Sequence, residues 1–137
     1  MPSNSLTGKV ALITGAARRI GATIATRLHA DGANVAIHYR GSAAEADALA
    51  ASLNATRADS AATFQADLNA TAALPDLIAD VVAWGGGIDI LVNNASSFYP
   101  TPPGEITEAD WDDLVGSNLK APLFLSQAAL GELRKSR

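Results

Sequence analysis

The residues best suited to chemistry here are cations, amides, hydroxyls and one aromatic pair, each placed just beyond a short apolar run. Residues 10–21 read Val-Ala-Leu-Ile-Thr-Gly-Ala-Ala-Arg-Arg-Ile-Gly. The first four form a run that predicts a strand buried on both faces. Thr14-Gly15 then turns the chain. A helical pattern starts at about Arg19, with Ile20, Ile24 and Leu28 expected along one face. A strand feeding a helix through such a turn aims backbone N–H groups and the positive end of the helix dipole above the sheet, which suits a phosphate. Gly15, Arg18, Arg19 and Gly21 are therefore candidates for a pyrophosphate site, with a tight, solvated turn as the plainer alternative.

A second cluster ends the next strand pattern, Val35-Ala-Ile-His-Tyr39. His38, Tyr39, Arg40 and Ser42 stand about 20 residues past the glycine turn, where dinucleotide sites carry the group that meets the adenosine ribose. An acid there suits a free 2′-hydroxyl. Arginine with hydroxyl donors suits a 2′-phosphate, which a guanidinium pairs bidentately and an acid repels. The expectation is NADP(H) rather than NAD(H), against the alternatives of a surface arginine at 40 and a packed strand histidine at 38. Asp67 could accept from the adenine amino group with Leu68 against the ring, or it could cap the next helix.

These clusters need a scaffold, and the rest of the chain supplies a pattern for one. Asp31-Gly32 stops the first helix. Ser42 and Glu45 suggest a capping box for a second helix, lined by Ala46, Leu49 and Leu53. Thr63-Phe-Gln-Ala66 is a third strand. Leu74, Leu77, Ile78 and Val81 mark a third helix, with Pro75 in its first turn and residues 85–87 as its stop. Ile88-Asp-Ile-Leu-Val92 is a fourth strand, closing on Asn93-Asn94, and Thr107 and Asp110 cap a further helix carrying Trp111, Leu114 and Val115. Strands separated by helices imply right-handed crossovers and a parallel sheet. The predicted fold is α/β, a Rossmann-type doubly wound parallel sheet in three α/β/α layers, with ligands beyond the carboxyl ends of its strands.

Bulk properties narrow the partners. The 137 residues fit one domain at most, with 48% apolar and 18% charged residues. A net charge of −4 argues against nucleic acid or an anionic membrane as the main partner. No cysteine is present, so disulfides, thiolate metal sites and a thiol nucleophile are excluded, and no metal-ligating set is read. The first nine residues carry no apolar leader core, and no run reaches the roughly 20 apolar residues of a membrane span. The expected compartment is the cytoplasm.

Residues 110–133 read as helix except at Pro122, four positions after Asn118. Proline has no N–H, so the Asn118 carbonyl loses its helical partner and can hold a water. Alternatively, Asn118 caps the second half of a broken helix.

Thr14-Gly15-Ala-Ala-Arg-Arg19-Ile-Gly21, Asp67-Leu68, Asn93-Asn94-Ala95 and Asn118 together resemble the motif series of the short-chain dehydrogenase/reductases. Arg19, His38-Tyr39-Arg40-Gly-Ser-Ala-Ala-Glu-Ala46 and Asn93-Asn-Ala-Ser-Ser-Phe-Tyr-Pro-Thr-Pro102 resemble, more narrowly, the pteridine reductases. The resemblance implies a reductase that passes hydride from NADPH to a dihydropterin or folate. It implies that Arg18, Arg19 and Ile20 hold the pyrophosphate, that Arg19 also reaches the substrate, and that Asn94, Ala95 and Ser96 line the ribose, phosphates and nicotinamide. Phe98 would stack on the pterin, with Ser96 beside it. Asn118 would hold the water of a proton relay ending at a catalytic lysine. A ketone or acyl-carrier reductase, or a non-catalytic NADP-binding module, are the alternatives.

The same resemblance calls for a Tyr-x-x-x-Lys pair after a fifth strand. Tyr39 and Tyr99 are the tyrosines here, and neither has lysine four residues on. Residues 1–137 are therefore expected to be the N-terminal portion of a single NADP-binding Rossmann domain, incomplete in this chain and inactive alone. The remaining C-terminal polypeptide would be its partner, with the fourth strand an exposed apolar edge. The family's homotetramer is the expected assembly, packed through Leu123-Phe-Leu125 and Leu130.

Overall fold

The apolar runs become four parallel strands: β1 (Val10–Ile13), β2 (Asn34–Tyr39), β3 (Ala61–Gln65) and β4 (Ile90–Val92). The computed structural model describes residues 5–136; the leader reading of residues 1–4 lies outside them. Strand order is β3-β2-β1-β4, with β1 central and every pairing parallel. Between the strands run α1 (Arg19–Ala30), α2 (Ala43–Thr56) and α3 (Leu74–Gly85), and after β4 come α4 (Glu108–Val115) and α5 (Ala121–Lys135). This is the expected Rossmann-type sheet, incomplete in this chain.

Alternation along the strands builds the three layers. Ala11, Ile13, Val35 and Ile37 pack with Ala25, Ala46, Ala50 and Leu53 of α1 and α2. Val10, Leu12 and Ala36 pack on the other side with Leu74, Leu77, Ile78 and Val81 of α3 and with Leu125 and Ala129 of α5. β1 is buried on both faces, as its unbroken apolar run demands. β4 is the edge, and its three residues are half-buried.

Several sequence expectations need correction. The buried line of α1 is Gly21, Ala25 and His29, while Ile24 and Leu28 are half-buried and Ile20 is 69% exposed. Small residues at 21 and 25 let the helix lie close to the sheet, which turns the larger aliphatics to its flanks. Ser42 does precede α2, but its side chain makes no capping bond. Its ψ of 54° lies outside the extended backbone that carries a cap oxygen onto the first turn. Thr107, extended at ψ 163°, does form the full box with Asp110. β3 starts two residues early because the Asn54 side chain accepts from the Ser60 and Ala61 N–H groups and donates to the Ala61 carbonyl, fixing that end. β4 starts two residues late: the Asp89 carboxylate, rather than a strand carbonyl, takes the Val10 N–H at 2.8 Å.

The long final helix is not simply broken at Pro122. Gly116–Lys120 form a π turn, in which the Ala121 N–H reaches back to the Gly116 carbonyl. Proline at the start of α5 cannot donate to Asn118 and crowds its carbonyl, so the turn before it widens.

Candidate functional site

At the carboxyl ends of the strands lies one open cavity of about 580 Å³. It gathers Gly15, Arg18, Arg19, Ile20 and Gly21 from the first turn, His38, Tyr39, Arg40 and Ser42 from the end of β2, Asp67 and Leu68 from the end of β3, and Asn94, Ala95 and Ser96 from the end of β4. Ala17, Gly41, Ala66, Asn69, Ser97 and Ser117 complete the lining. Ala17, Gly41 and Ser97 fall within the strand-end stretches that the sequence singles out, whereas Ala66, Asn69 and Ser117 were missed. Asn69 and Ser117 were within reach of sequence reasoning, since one closes the Asp-Leu-Asn run and the other adjoins Asn118.

The floor of the cavity is satisfied by the protein itself. The Gly15 N–H donates to His38 Nδ1 at 3.0 Å, and the Ala16 N–H donates to the His38 carbonyl at 2.9 Å. Since a backbone N–H can only donate, Nδ1 is the acceptor and the proton sits on Nε2, which donates to the Ala66 carbonyl at 2.9 Å. His38 is thus a buried strap between the β1 turn and the end of β3, and burial lowers its pKa below the ordinary 6.5. This corrects the expectation that the Gly15 N–H is free for phosphate. The donors left for an anion are those of the first turn of α1, which by helix geometry have no intrahelical partner.

Thr14 and Asn94 lock the opposite side. Thr14 Oγ1 accepts from the N–H groups of both Asn94 (3.0 Å) and Ala95 (2.9 Å). Asn94 Nδ2 donates to the carbonyls of Thr14 and Gly15 at 3.1 and 3.2 Å. The Asn94 amide nitrogen therefore holds the glycine turn rather than facing a ribose. Both glycines answer to the same packing. A Cβ on Gly15, whose φ is +59°, would meet Ala95 Cα at 2.9 Å, and one on Gly21 would meet the Gly15 carbonyl oxygen at 2.3 Å.

The rim is different in kind. Arg18, Arg19, Arg40 and Ser96 are exposed. Arg19 takes φ +54°, a left-handed conformation rare for a side-chain-bearing residue, as the chain enters α1. Arg40 reaches Asp67 at 3.6 Å across the ends of β2 and β3. Asp67 caps no helix: its Oδ1 accepts from the Asn69 N–H at 3.0 Å in a tight local turn. Leu68 is only 8% exposed and belongs to the core beneath the cavity, whose lining it joins.

Phe98 and Asn118 do not line the cavity, although their neighbours Ser97 and Ser117 do. Phe98 stands 89% exposed on the loop after β4. The Asn118 amide donates to the Ser97 carbonyl at 2.8 Å and to the Leu114 carbonyl at 2.9 Å, so it buttresses that loop instead of capping α5.

Chemically, the arrangement offers a groove across a switch point between β1 and β4, three guanidinium groups, and unpaired helix N–H donors. It fits an extended anionic ligand with a phosphate at either end of the β1–β2 span. Among the described residues no helix is long and apolar enough to cross a membrane.

A family model described as short chain dehydrogenase matches residues 9–137. The chain is 44% identical to pteridine reductase 1 of Leishmania tarentolae over an alignment of 158 positions, covering 92% of this chain and 54% of that protein. It is 36% identical to the 3-oxoacyl-[acyl-carrier-protein] reductase FabG of Staphylococcus aureus, over 94% of this chain and 52% of that protein. Similarity extends to the short chain dehydrogenase/reductase dmxR18 of Cryptosporiopsis sp., 34% identical over 93% of this chain and 48% of the relative. The chain spans about half the length of the curated relatives it matches.

Proposed function

The chain belongs to the short-chain dehydrogenase family, and from that premise we propose that the whole protein is an NADPH-dependent reductase acting on a pterin. The observation that carries this reading is the gathering of Arg18, Arg19 and Arg40 around one cavity beyond the strand ends. Arg18, Arg19 and the first-turn N–H groups of α1 would hold the pyrophosphate, and Arg40 with Ser42 the 2′-phosphate. For Arg40 this means exchanging or sharing Asp67, a surface ion pair that costs little to loosen. NADPH supplies the hydride when bound. The residues of this chain bind it, orient it and cover the acceptor.

Phe98 supports the choice of acceptor. An exposed aromatic on the loop beside the cavity offers a face to a flat heterocycle, and stacking between it and the cofactor would hold the reacting carbon close. Arg19, in the cavity lining, would meet a polar edge of that heterocycle. The Asn118 carbonyl, to which Pro122 cannot donate, would accept from a water in a proton relay. The proton donor itself, a Tyr-x-x-x-Lys pair in the family pattern, is assigned here to sequence outside these 137 residues. In the same reading the exposed Leu123, Phe124 and Leu130 are subunit contacts of a homotetramer, whereas Leu125, expected on that face, is buried in the core against the sheet; the compartment is the cytoplasm.

Similarity to the acyl-carrier reductase favours a second reading, in which the acceptor is a ketone and Phe98 only shapes the entrance. Turnover of dihydrobiopterin and dihydrofolate against a panel of ketones and 3-oxoacyl thioesters, followed by NADPH consumption with the full-length protein, separates the two. Turnover of ketones alone overturns the pterin reading. NADPH binding with turnover of neither would mark a non-catalytic module.

A further inference from the structure

Resting on the reading of Phe98 as the cover of a flat heterocycle, we propose that Asp113 is a positioning residue that fixes how Phe98 is presented. The residue before Phe98 is tied down, while the Phe98 ring itself stands exposed. Ser97 is fixed at every polar group: its N–H donates to Ser117 Oγ at 3.2 Å, its carbonyl accepts from Asn118 Nδ2 at 2.8 Å, and its hydroxyl donates to Asp113 Oδ1 at 3.2 Å. On the far side, the exposed Tyr99 stands beside the carboxylates of Asp113 and Asp110. Desolvation and those two acids push its pKa up.

The same Asp113 oxygen accepts from Asn69 Nδ2 at 3.3 Å. Asn69 in turn donates its N–H to Asp67, on the cofactor side of the cavity. One carboxylate on α4 thus joins the β3 wall of the cavity to the residue before Phe98. None of the ion pairs among the described residues includes Asp113, so its charge is directed to neutral donors, which an ionised acceptor holds more strongly than a neutral one would. A loop anchored immediately before an exposed ring sets that ring's angle before substrate arrives, and such pre-orientation acts on substrate capture.

The test uses the full-length protein with Asp113→Ala, Asp113→Asn, Phe98→Ala and the Phe98→Ala/Asp113→Ala double variant. In D113A the KM for dihydropterin rises about tenfold, kcat stays within about twofold, and NADPH affinity is unchanged. D113N keeps one acceptor oxygen and recovers most of the loss. If Asp113 acts through Phe98, the double variant matches F98A alone. Hydrogen–deuterium exchange across residues 96–100 quickens in D113A while the β1–β3 amides do not change. Multiplying defects in the double variant, or unaltered exchange at 96–100, overturns the proposal. A wild-type protein that reduces no pterin overturns the substrate reading instead, and the exchange experiment then still decides whether Asp113 anchors the loop.

Discussion

The floor and the rim of the cavity use their residues in opposite ways. On the floor, Thr14, His38 and Asn94 spend their polar atoms on backbone groups of the protein, and two glycines are confined by its own atoms. On the rim, Arg18, Arg19 and Arg40 face solvent with few or weak partners, and Phe98 stands exposed on the adjoining loop. The motif residues that look most like a nucleotide signature are therefore mainly scaffold, and the ligand-facing chemistry lies in side chains around them. Floor substitutions should cost stability first, and rim substitutions should cost binding with the fold intact.

The harshest floor change is Gly21→Ala. Its Cβ would meet the Gly15 carbonyl oxygen at 2.3 Å, Asn94 Nδ2 at 2.6 Å and Ala16 Cα at 2.8 Å, two of them backbone atoms of the turn. Relief requires α1 to move off the sheet, and chemical denaturation of the full-length protein should register a loss of about 3 kcal/mol or more. Next is Thr14→Val, which keeps the shape but removes the acceptor for the Asn94 and Ala95 N–H groups. Stranding the Ala95 N–H, and leaving the Asn94 N–H only the Val92 carbonyl at 3.1 Å, should cost about 2 kcal/mol, with Thr14→Ser close to wild type. Equal stability of T14V and wild type would mean that this floor is not held as described.

Acid should probe the same region. Folded His38 has a lowered pKa because burial penalises its charged form, and protonating Nδ1 would break the bond from Gly15. The unfolded chain takes up this proton near 6.5 while the folded chain resists, so protons favour unfolding as pH falls below that value. Stability is thus full above pH 6.5 and declines on acidification, by up to about 1.4 kcal/mol per pH unit for one such group. His29, its pKa also lowered by burial and by the nearby Arg57, adds a change of the same sign. His38→Asn, whose oxygen can accept from Gly15, should flatten part of the pH dependence; an unchanged profile would remove His38 from this role.

Much of the frame was legible in the sequence because it rests on periodicity: unbroken apolar runs at β1 and β2, helical spacing at α3, and the Thr107–Asp110 box. The membership of the cavity was legible too, since strand ends of a parallel sheet converge whatever their residues. Which way each group points was not. Whether Gly15 donates to a phosphate or to His38, and whether Asn94 faces a ribose or the glycine turn, depends on contacts 23 and 79 residues apart in the chain. Asp113 left no signal because its partners Ser97 and Asn69 are distant in sequence and ordinary in type.

On the rim, Arg19→Gly should stabilise by about 1 kcal/mol, because glycine takes φ +54° without the penalty arginine bears. The same change should weaken NADPH binding through the lost charge. A variant that gains stability while losing ligand is a signature no floor substitution can give.

Arg40→Ala is the smallest perturbation of the fold. The side chain is 62% exposed, and its 3.6 Å pair with Asp67 is a surface contact, so stability should stay within about 0.5 kcal/mol. Its effect belongs to the ligand. If Arg40 meets a 2′-phosphate, NADPH affinity falls about 10- to 100-fold while NADH affinity holds, because NADH has no group there to lose. Asp67→Asn should act in the opposite direction, since removing its charge releases Arg40 toward an incoming phosphate. Parallel losses for both cofactors in Arg40→Ala would place the guanidinium outside the ribose site and leave the choice between cofactors to the first turn.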